Sequence, residues 1–341
     1  AFLRRGLTVG YIKPVGQQFL EIGRNRIDKD AFLIEDTFHL GDSLPAMSPV
    51  AVPKGFTEHY ITSGNKTMLV KRIMTSFEKV RKRKDIVVIE GTGHAGVGSV
   101  FDLSNAEVAH MLQAKVVMVS CGGIGRPIDE IMLNVPLFKE KNVDIIGTIT
   151  NKVYPSKYKK ISKYVRAGLT RKGLVPFGVL PFEPVISHPS VRQLMEDLHA
   201  DILAGEVGLE NEVGQLVIGA MPPHELLSYL SRDMLVITPG NREDMIMAAV
   251  SSSLSPHPDQ HSVAGIVLTG KYKPHKSVRK LIEKIPIPVL GVWEDTFEVA
   301  TRIEHLITKI RPGEYRKISE IQRLVEEYVD VDGIIQKLKE H

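Results

Sequence analysis

The chain has 341 residues, a length that favours two domains over one, and its 43% hydrophobic content gives each a core to bury. Forty-four basic against 40 acidic side chains leave a charge of +4 with histidines neutral, too slight to argue for nucleic acid. The single cysteine, Cys121, excludes a disulfide framework; with no signal-peptide pattern and no apolar run near the roughly 20 residues of a membrane helix, a cytoplasmic protein is expected.

Ala1 to Leu7 reads as the last turns of a helix closed by Gly6; with no initiator Met and no strand before it, the chain is expected to be truncated at its N-terminus. Thr8–Ile12 predicts a strand that stops at Lys13-Pro14. Asp30–Phe38 predicts a short helix, followed by a Pro-rich loop through Pro53. Ser63 is a candidate N-cap for a helix over 66–82, whose basic end suits the helix dipole. Asp85–Ile89 predicts a buried strand ending in Glu90. Ser104 and Glu107 have capping-box spacing for a helix to Gln113. Strands follow at Lys115–Ser120, Asp144–Thr150 and Val175–Leu180, separated by a helix with Pro127 in its first turn and by a basic helix from about Ser156 to Arg171. This alternation predicts an α/β fold with a parallel sheet and right-handed crossovers.

From Asp201 to Gln215 the pattern lapses into a Gly- and Glu-rich stretch, which marks the domain boundary. A second series places strands at Leu216–Ala220, Met234–Thr238, Val263–Thr269 and Pro288–Val292. Its helices fall at about Pro223–Leu230, Arg242–Ser252, Lys276–Lys284 and Thr296–Ile307, with a last helix over Ile318–Lys339. The expected division is a first domain over 1–203, a smaller α/β domain over 214–310 and a helical extension over 311–341.

Chemistry concentrates around Glu90. Ligands collect at the carboxyl ends of strands in α/β sheets, so this carboxylate stands where a metal ion or reacting group is held. Gly91, Thr92 and Gly93 follow it, and the glycines let a ligand approach the main chain. Gly91-Thr92-Gly93-His94-Ala95-Gly96 also matches G-x-G-x-x-G. A dinucleotide turn would need a helix at once and an acid ending the next strand, whereas the helix begins near Ser104 and the next strand ends in Ser120 and Cys121. No Walker A loop is present: Gly64-Asn65-Lys66-Thr67 lacks the first glycine, and Gly270-Lys271-Tyr272 lacks a hydroxyl for magnesium. Lys13 ends a strand and can hold an anion as a point charge, or it is a solvated loop lysine. Asp28 and Asp30 precede a helix; either caps it, or one joins Glu90 on magnesium. Asn151 ends a strand and either reads a base edge or makes a turn. His257 and His261 lack further ligands for zinc, the basic helix reads as a solvated face, and Cys121 as packing.

In order, Val9-Gly10-Tyr11-Ile12-Lys13-Pro14-Val15, Asp28-Lys29-Asp30-Ala31, Val88-Ile89-Glu90-Gly91-Thr92-Gly93, Asn151-Lys152 and Gly178-Val179-Leu180-Pro181 resemble the dethiobiotin synthetase-like branch of P-loop NTPases. Val236-Ile237-Thr238-Pro239-Gly240-Asn241-Arg242-Glu243-Asp244, Ile266-Val267-Leu268-Thr269-Gly270 and Val289-Leu290-Gly291-Val292-Trp293-Glu294-Asp295-Thr296 are similar to a DRTGG domain, although Asn241 and Glu243 stand where Asp and Thr are more usual. The pairing resembles the N-terminal region of long bacterial phosphate acetyltransferases, without their acetyl-transferring domain. It implies ATP and magnesium as cofactors, with Asp30 and Glu90 on the metal, and Lys13 and Glu90 as catalytic groups. Gly91, Thr92, Gly93, Asn151 and Pro181 would line the nucleotide, Asn151 at the base. It also implies a strand and Walker A loop upstream of Ala1.

Three functions follow from this reading. The first is a nucleotide-binding regulatory or accessory protein whose second domain senses a small-molecule effector or mediates assembly. The second is an ATP-dependent ligase of the dethiobiotin or cobyrinic acid a,c-diamide synthetase type, acting on a carboxylate or acyl substrate. The third is a non-catalytic α/β interaction protein. No nucleic acid or membrane partner is expected, and a homo-oligomer is open.

Overall fold

Two apolar runs, Val9–Ile12 and Ile86–Ile89, lie side by side in parallel, and the first half of the chain is built outward from them. The computed structural model describes residues 1–253, 263–270, 273–306 and 309–340. His257, His261, Lys271, Tyr272 and Ile307 lie outside the described residues. The chain divides into two compact units, Ala1–Phe182 with Ile310–His341, and Glu183–Lys309.

In the first unit β1 is Val9–Ile12, β2 Val15–Gly16, β3 Phe19–Ile22, β4 Asn25–Asp28, β5 Val50–Ala51, β6 Ile86–Ile89, β7 Val116–Cys121, β8 Ile145–Val153 and β9 Pro176–Pro181. The strands β1 and β6 pair in parallel, with Ile12 opposite Ile89. The run β7-β8-β9 forms a second parallel sheet. Helices Lys29–Phe38 and Lys66–Arg81 bury their apolar stripes on β1 and β6, through Ala31, Leu69, Ile73 and Val80. Helices Gly125–Glu140 and Tyr158–Arg171 cover β8 and β9 through Ile131, Val135, Val165 and Leu169.

The chain returns to the first unit at its end. Two helices, Tyr315–Tyr328 and Val331–Lys339, stand where one was expected. The break is local and hydrogen-bonded: Val329 is extended and bridges Gly178, the Asp330 N–H donates to the Phe177 carbonyl at 2.8 Å, and the Asp330 carboxylate caps the next helix. Ile334 then packs against Ile146 and Phe177.

Other departures have equally local causes. The Ser63 hydroxyl donates back to the His59 carbonyl at the end of helix Phe56–Ser63, and Asn65 caps the following helix by accepting from the Met68 N–H. Residues 15–28, where the sequence predicts no element, hold an antiparallel β3–β4 hairpin that is mostly exposed, and β2 pairs in parallel with β5 from the Pro-rich loop, two strands of two residues each and too short to show alternation. Cys121 is exposed rather than packed. It shares a face with exposed Val119 on β7, which borders its sheet.

The second unit is a five-stranded sheet ordered β10-β14-β13-β12-β11. Its strands are β10 Asp201–Ala204, β11 Gln215–Ile218, β12 Met234–Pro239, β13 Gly265–Thr269 and β14 Val289–Gly291. The four later strands run parallel, and β10 pairs antiparallel at the edge, inside the stretch where the pattern lapses. With only four residues and half of them exposed, β10 leaves little apolar signal. Alternate residues face opposite cores: Val236, Ile266, Leu268 and Val289 lie with helices Glu243–Ser253 and Lys276–Ile282. Ile237, Val267 and Leu290 lie with helices Val191–Leu198 and Thr296–Glu304. The connection therefore changes face after β14. Among the described residues no helix is long and apolar enough to cross a membrane.

If the last helix is integral to the first unit, Ile334→Ala should lower stability by about 2–5 kcal/mol, the range for truncating a packed aliphatic chain. Urea denaturation checks this, and a change within experimental error would show that the helix is merely appended.

Candidate functional site

Parallel pairing explains the centre of the site. Ile12 and Ile89 are register partners, and the Glu90 N–H donates to the Ile12 carbonyl at 2.9 Å, so Lys13 and Glu90 leave neighbouring strands together at their carboxyl ends. Pro14 then turns the chain into the β3–β4 hairpin, which returns Asp28 and Asp30 to the same place.

Lys13 is 5% exposed. Its ammonium hydrogen-bonds to Asp30 Oδ2, donates to Glu90 Oε1 at 3.1 Å and pairs with Asp28 Oδ1 at 3.3 Å. The Tyr11 hydroxyl donates to Glu90 Oε2 at 2.5 Å. Burial alone would lower the Lys13 pKa; the hydrogen bond to Asp30 and the charges of Glu90, Asp28 and Asp30 outweigh it and hold the value above normal. Burial raises the Tyr11 pKa, and the Glu90 carboxylate raises it further. Tyr11 is thus a committed neutral donor.

The two aspartates differ in exposure. Asp28 is almost fully buried; its Oδ1 accepts from the Asp30 N–H at 2.9 Å and caps the helix Lys29–Phe38, while its own N–H donates to Ser48 Oγ at 2.9 Å. Among the described residues Asp28 Oδ2 has no hydrogen-bond partner, and it faces Gly16 so closely that a Cβ there would collide with it. Asp30 and Glu90 are part-exposed and lie on the open side of the cluster.

The Gly91–Gly93 segment is pinned rather than loose. Thr92 Oγ1 donates to the Val15 carbonyl at 3.2 Å, and Asn105 Nδ2 donates to the Thr92 and His94 carbonyls, both at 2.8 Å. A Cβ on Gly91 would meet Asn105 Oδ1 at 2.9 Å, and Gly93 has φ +67°, so both positions favour glycine. Asn151 and Pro181 sit elsewhere, at the carboxyl ends of β8 and β9; Asn151 Oδ1 accepts from the N–H of Lys152, whose φ is +59°. The structure therefore brings Lys13, Asp30 and Glu90 together, sets Gly91–Gly93 beside them, and places Asn151 and Pro181 on the other sheet of the unit.

Tyr11 and Asn105 escaped the sequence reading. Tyr11 stands two residues before Lys13 on a strand, so a shared face was available as a signal. Asn105 directly follows the helix cap Ser104, and nothing in the sequence connects its amide to a loop thirteen residues upstream. Asp28, legible as either a cap or a ligand-side acid, serves as the cap and also faces Lys13.

Comparisons with known proteins bear on this arrangement. Residues 1–190 match the family model described as an AAA domain, and residues 193–306 match the DRTGG domain. A phosphate acetyltransferase of Nitratidesulfovibrio vulgaris is 30% identical over 288 residues, covering 82% of this chain and 40% of the relative. Those of Synechocystis sp. and Pseudomonas aeruginosa are each 23% identical, covering 99% of this chain and 48% and 49% of the relatives. The chain thus spans less than half the length of these relatives. A solved structure of the CBS and DRTGG domains of the regulatory region of Clostridium perfringens pyrophosphatase overlaps with a TM-score of 0.29 at 16% identity, covering 57% of this chain and 77% of that one; so low an overlap carries no argument.

Removing the ammonium would leave three carboxylates facing one another in a half-buried cluster. Lys13→Met should cost about 3–5 kcal/mol in urea denaturation, as for other broken buried pairs. Because the folded pKa of Lys13 is raised, its contribution is complete below the unfolded value of about 10.4 and is lost as pH rises through the folded value. The gap between wild type and Lys13→Met should therefore stay level from neutral pH to about 10 and shrink above it. Gly16→Ala should destabilise as well, by pushing the Asp28 carboxylate off its seat. Stability equal to wild type would mean that the Asp28 pocket is not tightly packed.

Proposed function

Since the chain belongs to the AAA-domain family of P-loop, dethiobiotin synthetase-like proteins and carries a DRTGG domain behind it, we propose that it is a nucleotide-binding regulatory or accessory protein akin to the N-terminal region of phosphate acetyltransferases. The observation that carries this reading is the meeting of Lys13, Asp30 and Glu90 at the carboxyl ends of adjacent parallel strands, where α/β proteins hold ligands. The ligand proposed for the first unit is ATP with magnesium. The second unit would sense a small ligand or mediate assembly.

The donor set suits that metal in kind. Asp30 and Glu90 offer hard, part-exposed carboxylate oxygens, which magnesium prefers. Among the described residues no group of three or more His, Cys, Asp or Glu side chains is placed to hold a metal ion by itself. Magnesium does not require such a group, because it is commonly held by one or two carboxylates together with phosphate and water. Bound there, the ion would neutralise phosphate charge. Lys13 would hold Asp30 and Glu90 in place through its ion pairs, Gly91–Gly93 would keep the rim low, and Asn151 would face the base.

A ligase would need Lys13 to turn towards a carboxylate substrate. In the structure its ammonium already faces three carboxylates, and this favours a binding role over a catalytic one.

Calorimetry with magnesium and ATP tests the reading. Magnesium-dependent binding is expected, weak because the sequence holds no Walker A loop, and reduced at least tenfold further (about 1.4 kcal/mol) by Glu90→Gln or Asp30→Asn. Phosphate release stimulated by a carboxylate would favour the ligase instead, and no magnesium-dependent binding would leave the interaction protein.

A further inference from the structure

The second unit has a cavity of about 150 Å³ that the first unit's chemistry does not use. Its position follows from the sheet. The chain leaves β13 for the helix Lys276–Ile282 on one face, and leaves β14 for the helix Thr296–Glu304 on the other. Where neighbouring parallel strands send their connections to opposite faces, a crevice opens beyond their carboxyl ends, and ligands bind in such crevices. The cavity is lined by Gly270 and Lys273 after β13 and by Gly291 and Trp293 at the end of β14.

The lining has two characters. Leu203, Leu268, Ile282 and Val292 make an apolar interior, and a cavity of this size with such walls admits one small aromatic ring. Trp293 stands at the rim with 70% of its surface exposed, a large ring kept out of any core. Around it lie two cations, Lys273 and Arg279, neither with an ion-pair partner among the described residues, and two carboxylates, Asp201 and Glu283. The framework is tied: the Gly270 N–H donates to the Glu294 carbonyl at 2.8 Å, and the Thr269 and Thr296 hydroxyls are 2.7 Å apart across the two connections. These two bonds tie the connections after β13 and β14 to each other beside the crevice.

We infer that this crevice binds a nucleotide, with its heteroaromatic ring in the apolar cavity beside Trp293 and its phosphate on Lys273 and Arg279. A planar ring suits the apolar walls and the indole; two cations with no ion-pair partner among the described residues suit an anion; Asp201 and Glu283 can accept hydrogen bonds from sugar hydroxyls or ring amino groups. The inference rests on reading the second unit as a ligand sensor, and it names both the site and the ligand class.

Trp293 is the single tryptophan of the chain, so its fluorescence reports on this crevice alone. The probes are AMP and ATP in EDTA, with adenosine and tripolyphosphate as the ring and the anion taken separately. Saturable quenching by a nucleotide is expected, at least tenfold weaker for either part alone. It should fall at least tenfold in Lys273→Ala and in Arg279→Ala, exposed positions whose loss leaves the circular dichroism unchanged, and persist in Glu90→Gln. Absence of saturable quenching at millimolar nucleotide, tripolyphosphate matching the nucleotide, or loss of the response in Glu90→Gln would each overturn the inference. Magnesium-dependent calorimetry on the same protein reads the first unit independently, so either site can fail alone.

Discussion

One ammonium group among three carboxylates governs the first unit. Lys13 cannot be buried unpaired, because desolvating an isolated charge costs far more than a fold can spare. The chain accordingly brings Asp28, Asp30 and Glu90 to it from three separate segments, with Tyr11 bonded to the far oxygen of Glu90. The hairpin after Pro14, the turn at Gly91 and the parallel pairing of β1 with β6 are all conditions for that meeting. The cluster still carries more negative than positive charge, and its surplus lies on Asp30 and Glu90, the members nearest solvent. An arrangement of this kind is held in shape by its own ion pairs.

The second unit applies a different constraint. Its strands are apolar on both faces and so accept helices on either side. The change of side after β14 is what leaves space above the sheet. The first unit thus presents a cluster made by charge, and the second a crevice made by connectivity, with charge only at its rim.

Much of this organisation was legible in the sequence because it rests on strong local signals. The apolar runs over 86–89, 116–120 and 234–238 read as strands and are strands, although the first is only half-buried, the second has an exposed face and only the third is buried throughout; Glu90, directly after the first, meets Lys13 there. Ser104 announced its helix through a cap that the structure contains. Features determined by distant partners were not legible. The break at Val329 exists because Gly178 and Phe177 provide bonds for it, and those residues are some 150 positions away. Tyr11 reads as an ordinary strand aromatic until Glu90 is placed beside its hydroxyl. Hairpin β3–β4 and strand β10 are too short and too exposed for alternation to distinguish them from loops.

The return of the chain to its first unit has a consequence for biosynthesis. Residues 310–341 emerge from the ribosome only after the whole of Glu183–Lys309, yet they supply Ile334 to the core around Ile146 and Phe177 and the Arg5 partners Glu326 and Asp332. Until then the growing chain carries an unfinished apolar face on β8 and β9, exposed to other nascent chains. Translation order thus makes completion of the first unit wait on the synthesis of the second, and an interruption anywhere between them leaves the earlier part unsealed.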